Sequence, residues 1–389
     1  MSTRPRLLFL ITEDWYFWSH RLDLARAARD AGFEVIIATR VTGHGEQIRE
    51  EGFRLLPLTL LRRSRNPFSE LRAMMQLVWL YRRERPDIVH HVALKPILYG
   101  SFAAWIARVP AVINAFAGLG YTFTDRSDQS VCLQLGVRLG LKTALSLNHR
   151  SLALFQNSED RDRLVQEGIV VSSRSRIIPG SGVDVERFCP REATEGVPVV
   201  MLASRMLWDK GVGEFVQAAR RLKERAVQAR FVLVGRCDED NPAAIERHQL
   251  QQWGHEGVIE WWEHRDDMPV VLASATVVTL PSYREGLPKV LLEAAACGKP
   301  IVAADVPGCR EVVRHHGNGL LVPVKNPAAL AEAIGFLLDH PTQCAAMGVA
   351  AREIVVREYS VPRVAGQMLD FYRELLGQSW EGRSSLRNV

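Results

Sequence analysis

Short runs of β-branched and aliphatic residues alternate with longer stretches of helical periodicity, and this alternation stops once and then restarts. In the first half, strands are expected at residues 7–11, 33–38, 54–57, 87–90, 111–114, 152–156 and 176–178. Helices are expected between them, among them 20–31, 68–83, 96–107 and 159–167, the last opened by an Asn157-Ser158 cap. Two segments rich in turn formers then intervene: Pro179-Gly180-Ser181-Gly182-Val183-Asp184, and the stretch from Pro190 to Pro198. The pattern resumes with strands at 197–203, 229–234, 258–261, 275–280, 300–303 and 319–322. Helices at 211–225, 241–253, 289–296 and 327–338 fill the gaps, and a last one is expected at 363–376. A βα alternation of this kind builds parallel sheets covered by helices. The fold class is therefore α/β, with two doubly wound domains joined near residues 180–196, and 389 residues are enough for both.

Several other classes are excluded. The longest uncharged stretches, 109–124 and 268–283, have sixteen residues each and are broken by Pro, Gly or hydroxyl residues. A bilayer helix needs roughly 20 mostly apolar residues, so no transmembrane span is expected. The apolar run near the start has only five residues before Glu13 and Asp14, which argues against a signal peptide and for a cytoplasmic chain. The six cysteines are scattered without CxxC or CxH spacing, so free thiols are expected rather than a zinc site or disulfides. Net charge is +5, all of it in the first half: residues 1–195 carry 27 Arg/Lys against 21 Asp/Glu, and the remainder 22 against 23. The segment that opens at Leu60 and closes at Arg85 holds seven arginines against Glu70 and Glu84. That density fits an anionic partner or a solvated helix face. Within it, Leu71, Met75, Val78 and Trp79 recur at helical spacing, and this stripe is expected to pack on the first sheet, leaving the turn before it to meet a membrane.

Ligands of open α/β sheets bind beyond the carboxyl ends of the strands. One such place is Leu280-Pro281-Ser282-Tyr283-Arg284-Glu285-Gly286-Leu287-Pro288-Lys289, running on to Glu293. A strand ends there, the chain turns at Gly286, and a helix starts with Pro288 near its first position. Helical side chains lean toward their N-terminus, so Glu293 can point back to the loop that holds Glu285. Amides at a helix start suit phosphate or sugar oxygens. Spacing alone fits equally a capped helix with one buried glutamate. A second place is Ser204-Arg205-Met206-Leu207-Trp208-Asp209-Lys210-Gly211, where Arg205 and Lys210 flank a short loop. Two cations there suit a diphosphate; the alternative is that Arg205 pairs with Asp209 or a remote acid.

These two motifs together resemble the retaining glycosyltransferases of family 4, which have the GT-B fold: two Rossmann-like domains facing across a cleft. The resemblance runs over residues 5–376 and includes Phe155-Gln156-Asn157-Ser158-Glu159-Asp160 and Phe231-Val232-Leu233-Val234-Gly235. Lys95 with Tyr99-Gly100, Gly118-Leu119-Gly120 and Asp238-Glu239-Asp240-Asn241-Pro242 are similar to bacterial enzymes that add N-acetylhexosamine to undecaprenyl-diphosphate-linked sugars. The resemblance implies an acceptor domain of residues 1–182, joined by the C-terminal helix 363–389, and a nucleotide-sugar domain of residues 183–362. It implies that Arg205 and Lys210 neutralise the donor diphosphate and that Glu293 holds the ribose. Glu285 would lie beside the donor sugar, with Gly286, Leu287 and Pro288 giving backbone contacts and the base lying near Gly235 and His264-Arg265. The partners implied are a UDP-linked nucleotide sugar, a polyprenyl-diphosphate-linked glycan, and the anionic inner face of the bacterial membrane through the Leu60 to Arg85 segment. No cofactor and no metal is expected: Asp238 and Asp240 form a DxD, but in a fold whose members generally need no metal.

Acceptor contacts are expected from His20, Arg21, His91 and Lys95, although His90 and His91 suit a core equally well. His315-His316 reads as a turn. A nucleotide-sugar 2-epimerase on the same fold is the alternative enzyme. A nucleic-acid-binding protein would explain the pI of 9.0 but brings none of the known motifs, and no nucleic-acid partner is expected.

Overall fold

The computed structural model describes residues 4–60, 66–119, 128–191, 196–238 and 241–377. It divides into two compact units, one ending at Ser181 and regaining the chain from Pro362, the other running from Gly182 to Val361.

In the first unit the order is β1 (Arg6–Glu13), α1 (Asp14–His20), α2 (Leu22–Asp30), β2 (Glu34–Arg40), α3 (Gly45–Glu50), β3 (Arg54–Pro57) and α4 (Pro67–Glu84). There follow β4 (Ile88–Val92), α5 (Leu94–Ala107), β5 (Ala111–Ala115), α6 (Asp128–Leu147), β6 (Ser151–Phe155), α7 (Ser158–Gln166) and β7 (Ser175–Ile177). The seven strands form one parallel sheet in the order β3-β2-β1-β4-β5-β6-β7. Burial on both faces explains why the central strands read as continuous apolar runs. Leu7 and Phe9 face one core, Leu8 and Leu10 the other.

The second unit holds β8 (Val199–Ala203), α8 (Val212–Glu224), β9 (Arg230–Val234), α9 (Arg247–His255), β10 (Glu260–Trp261), α10 (Met268–Ala273) and β11 (Val277–Leu280). It continues with α11 (Lys289–Ala296), β12 (Ile301–Ala304), α12 (Pro307–Val312), β13 (Gly319–Val322), α13 (Pro327–Asp339) and α14 (Pro341–Tyr359). Its six strands are also parallel, in the order β10-β9-β8-β11-β12-β13. The last helix, α15 (Val361–Leu376), returns to the first unit, where Val364, Met368 and Tyr372 join the core around Phe9. The Tyr372 hydroxyl lies 2.7 Å from His90 Nδ1 on β4.

Two expectations change. The helix expected at 20–31 starts at Leu22, after a break at Arg21, whose backbone (φ −131°, ψ −7°) leaves the helical region, and a helix that was not expected, α1, precedes it. On α4 the buried face is Ala73, Leu77, Leu80 and Tyr81. Leu71, Met75 and Trp79 are instead 60%, 65% and 58% exposed, with Phe68 at 84% and Val78 half-buried. Both stripes obey the helical period, so spacing could not choose between them; position against the sheet did. Arg62, Arg63 and Arg65 lie outside the described residues, as do Asp240 and Gly120.

No helix among the described residues is long and apolar enough to cross a membrane. Cys189, Cys237, Cys297, Cys309 and Cys344 are free thiols. The Asn157 side chain accepts from Asp160 N–H at 2.8 Å, capping α7 as expected.

Candidate active site

Each sheet reverses its winding next to its first strand, between β1 and β4 in one unit and between β8 and β11 in the other. Such switch points are where open α/β sheets hold ligands. In the second unit the loops leaving β8 and β11 are the two charged motifs of the sequence.

The β8 loop closes in a 3-10 turn, Trp208–Lys210, and ends on Gly211 in the left-handed region (φ 73°). A side chain at Gly211 would put Cβ 2.2 Å from the Pro281 carbonyl, so only glycine lets the β11 loop come this close. Tyr283 N–H donates to the Asp209 carbonyl at 2.9 Å, stapling the two loops. With the backbones fixed, Lys210 Nζ reaches Glu285 Oε1 at 2.6 Å, and both side chains are largely buried. Arg205 extends to the other flank and pairs with Asp238 Oδ2 at 2.6 Å on the β9 loop. The pairing of Arg205 with a remote acid, one of the two readings of its sequence, is thus what the structure holds. At Gly235 (φ 145°), Cβ would lie 1.7 Å from the Ser204 carbonyl, so the β9 loop leans on the β8 loop there. Gly235 donates its N–H to the Glu263 carbonyl and accepts from Trp261 Nε1.

Pro288 caps α11 and Lys289 is its first residue. Glu293, one turn later, leans back to Lys289 Nζ at 3.3 Å. Burial pushes the Glu293 carboxyl up, against the pull of Lys289 and Arg187. Arg265 sits on the loop after β10, exposed, its guanidinium held by both oxygens of Asp267 at 2.8 and 2.6 Å. Tyr283 extends the site beyond the sequence reading. Its hydroxyl donates to Glu214 on α8 at 2.7 Å, and Lys325 Nζ lies 4.8 Å from its ring centre. Its position two residues before Glu285 was the available signal. Cys309 is buried beside Lys210 and Glu285, and burial, reinforced by the Glu285 charge, keeps its thiol protonated. Among the described residues no cluster of three or more His, Cys, Asp or Glu could hold a metal ion.

The first unit's candidates divide. His91 is wholly buried, with Nδ1 2.9 Å from Asn114 Oδ1 and Nε2 3.1 Å from the Tyr81 hydroxyl. Burial holds its pKa down at about 4, despite the opposing bond to Asn114. It is a neutral core histidine, not an acceptor contact. Arg21 is also corrected: it is 4% exposed, donates to the His20 carbonyl at 3.2 Å, and lies inside against His90, whose pKa burial and the Arg21 charge both depress. His20 is half-buried, its ring flat on Tyr16 at 4.3 Å. Lys95, in the first turn of α5, pairs with Glu70 of α4 at 2.8 Å. His315 and His316 form a turn beside β13, as expected.

Two family models match in tandem. Residues 6–149 match "Glycosyl transferase 4-like" and residues 197–340 match "Glycosyl transferases group 1". The chain is built from these two glycosyltransferase domains. A relative from Campylobacter jejuni, N,N'-diacetylbacillosaminyl-diphospho-undecaprenol alpha-1,3-N-acetylgalactosaminyltransferase, is 28% identical over 347 residues, 86% of this chain and 89% of the relative. UDP-Gal:alpha-D-GlcNAc-diphosphoundecaprenol alpha-1,3-galactosyltransferase from Escherichia coli is 22% identical over 88% of this chain and 90% of its own. The glycosyltransferase shares its fold with HepE of Anabaena, solved in complex with UDP and glucose, at a TM-score of 0.75 and 19% identity over 94% of this chain and 98% of that one. A glycosyltransferase from Rickettsia africae gives a TM-score of 0.77 at 16% identity, covering 97% and 100%. The architecture is the GT-B fold.

Proposed function

We propose that the protein is a retaining hexosyltransferase that moves a sugar, an N-acetylhexosamine from a UDP donor, onto a polyprenyl-diphosphate-linked glycan in the synthesis of a bacterial surface polysaccharide or glycan. The observation that carries this reading is the Lys210–Glu285 pair on two stapled loops at the second sheet's switch point, in a chain of this family. Arg205, Lys210 and Lys289 each hold a carboxylate, so the edge is charge-balanced as it stands. An arriving diphosphate competes with those carboxylates for the same cations, and a forked or point-charge grip on phosphate is the stronger bond where charge is growing. The acceptor hydroxyl attacks the anomeric carbon from the face the diphosphate leaves. The carbon–oxygen bond to phosphate breaks, and the hydroxyl proton passes to the departing phosphate oxygen. Proximity and charge stabilisation supply the acceleration, and no metal enters.

The lipid of such an acceptor requires contact with a membrane, here the anionic inner face. The exposed stripe Phe68, Leu71, Met75 and Trp79 on α4 supports this, flanked by Arg72 and by Arg83, which lies 5.0 Å over the Trp79 ring. An amphipathic helix with arginines beside its apolar face lies in the headgroup plane.

The test is a screen of radiolabelled UDP-sugars with N-acetylglucosaminyl- and N,N'-diacetylbacillosaminyl-diphospho-undecaprenol, with the product linkage read by proton NMR. An α-linked lipid product from an α-linked donor is expected. A β linkage removes the retaining assignment, and conversion of the UDP-sugar without acceptor favours a 2-epimerase.

A further inference from the structure

Four consecutive aromatic residues, Trp15 to Trp18, follow β1 directly and make up most of α1. Helical residues are spaced about 100° apart, so the single buried ring, Phe17, fixes where the others point. Trp15 and Ser19 lie on the side away from Phe17, Tyr16 and His20 on one flank, and Trp18 on the other. A surface helix ordinarily turns polar side chains outward, whereas this one presents rings. Trp15 meets the Tyr16 ring edge-on at 5.8 Å, Tyr16 and His20 are parallel within 3°, and Trp18 lies 5.8 Å from His44. Tyr16 and Trp18 also rest on the core, while Trp15 belongs to no core cluster. Polar atoms rim the rings: Ser19 Oγ lies 2.7 Å from His20 Nδ1. Asp14 stiffens the whole edge. Its carboxylate accepts from the backbone N–H groups of Thr42, Gly43 and His44 at 2.8, 2.9 and 2.8 Å.

The place matters as much as the chemistry. α1 leaves β1 and α5, with Lys95, leaves β4, so the two flank the switch point of the first sheet. A pyranose has an apolar C–H face and a rim of hydroxyls, and half-buried aromatic faces with polar edges are its complement. We infer that Trp15, walled by the Tyr16–His20 and Trp18–His44 pairs, is the platform on which the sugar rings of the acceptor stack. This rests on the proposed transferase reading and adds the residues that hold its second substrate.

The experiment compares wild type, Trp15→Ala and Trp15→Phe in the full chain. The acceptor is whichever of the two undecaprenyl-linked sugars the wild type uses. Trp15→Ala should raise the acceptor KM at least tenfold while the Kd for UDP and the melting temperature stay at wild-type values, and Trp15→Phe should recover most of the loss. An acceptor KM for Trp15→Ala within twofold of wild type overturns the platform and leaves the transferase reading intact. A fall in melting temperature or UDP affinity that matches the KM change also overturns it, assigning Trp15 to structure. A wild type that transfers to neither acceptor overturns the reading beneath the inference, and the inference with it.

Discussion

Glu285 carries charge at the place where loop backbones leave no slack, between the Gly211 contact and the start of α11. Glu285→Gln keeps the volume and removes the charge. It should fold normally and lose about 100-fold or more in turnover, because a site interaction of several kcal/mol translates to that range; turnover within about threefold of wild type, by a UDP-release assay, removes Glu285 from the chemistry. Arg205→Ala and Lys210→Ala should each lower kcat more than they weaken UDP binding, since negative charge grows on the leaving phosphate; equal losses in both, by calorimetry and kinetics, identify uniform binding instead. Asp14 makes a different prediction. Burial opposes its charge, but the N–H groups of Gly43, His44 and Thr42 and the Thr42 hydroxyl outweigh it and lower the carboxyl from 3.8 to about 2. Its contribution to stability, about 2 kcal/mol, is therefore complete above pH ~4 and drains away as pH falls toward ~2. Asp14→Asn should be less stable than wild type by that amount in neutral denaturant titrations, and the gap should narrow below pH ~4. A gap independent of pH contradicts the assignment.

At the scale of elements, α4 carries two apolar faces with different tasks. Ala73, Leu77, Leu80 and Tyr81 bind it to the sheet, so a change there costs stability. Leu71, Met75 and Trp79 touch no core, so replacing all three with Ser should leave the melting temperature unchanged. Full burial of such side chains is worth about 1.5–3 kcal/mol each, so the triple variant should lose at least tenfold in sedimentation with anionic vesicles. Replacing Arg62, Arg63 and Arg65 with Ser removes about 1 kcal/mol per charge and should leave the residual binding less sensitive to salt. A stripe variant that sediments like wild type detaches α4 from the membrane, and an arginine variant that does so detaches the segment before it.

Across the whole molecule, legibility followed how local the cause was. Every expected strand is present within two residues, because a strand buried on both faces announces itself as a short apolar run. The glycines and prolines that shape the β8 and β11 loops, and the charged residues they carry, were equally readable. Pairings were not: that Arg205 meets Asp238 rather than Asp209 depends on two loops 33 residues apart. The surroundings of His91 depend on Asn114 and Tyr81 of other elements, and those of His90 and Arg21 on Tyr372 of the returning helix α15, far away in sequence. α1 went unread because its aromatic run has no apolar period of its own. On the proposed reading Arg205 and Lys210 supply the positive charge for the diphosphate, so transfer should survive saturating EDTA, and an absolute need for magnesium or manganese would return attention to Asp238 and Asp240.

The most direct test is stoichiometric. Wild-type protein is incubated with the labelled UDP-sugar it uses, with and without an undecaprenyl-diphosphate-linked sugar, and UDP release and label in the organic phase are measured together. The account predicts one lipid-linked sugar for each UDP released and almost no UDP or altered UDP-sugar when the acceptor is left out. UDP release or epimerisation at the same rate without acceptor, with no label in the lipid, would contradict it.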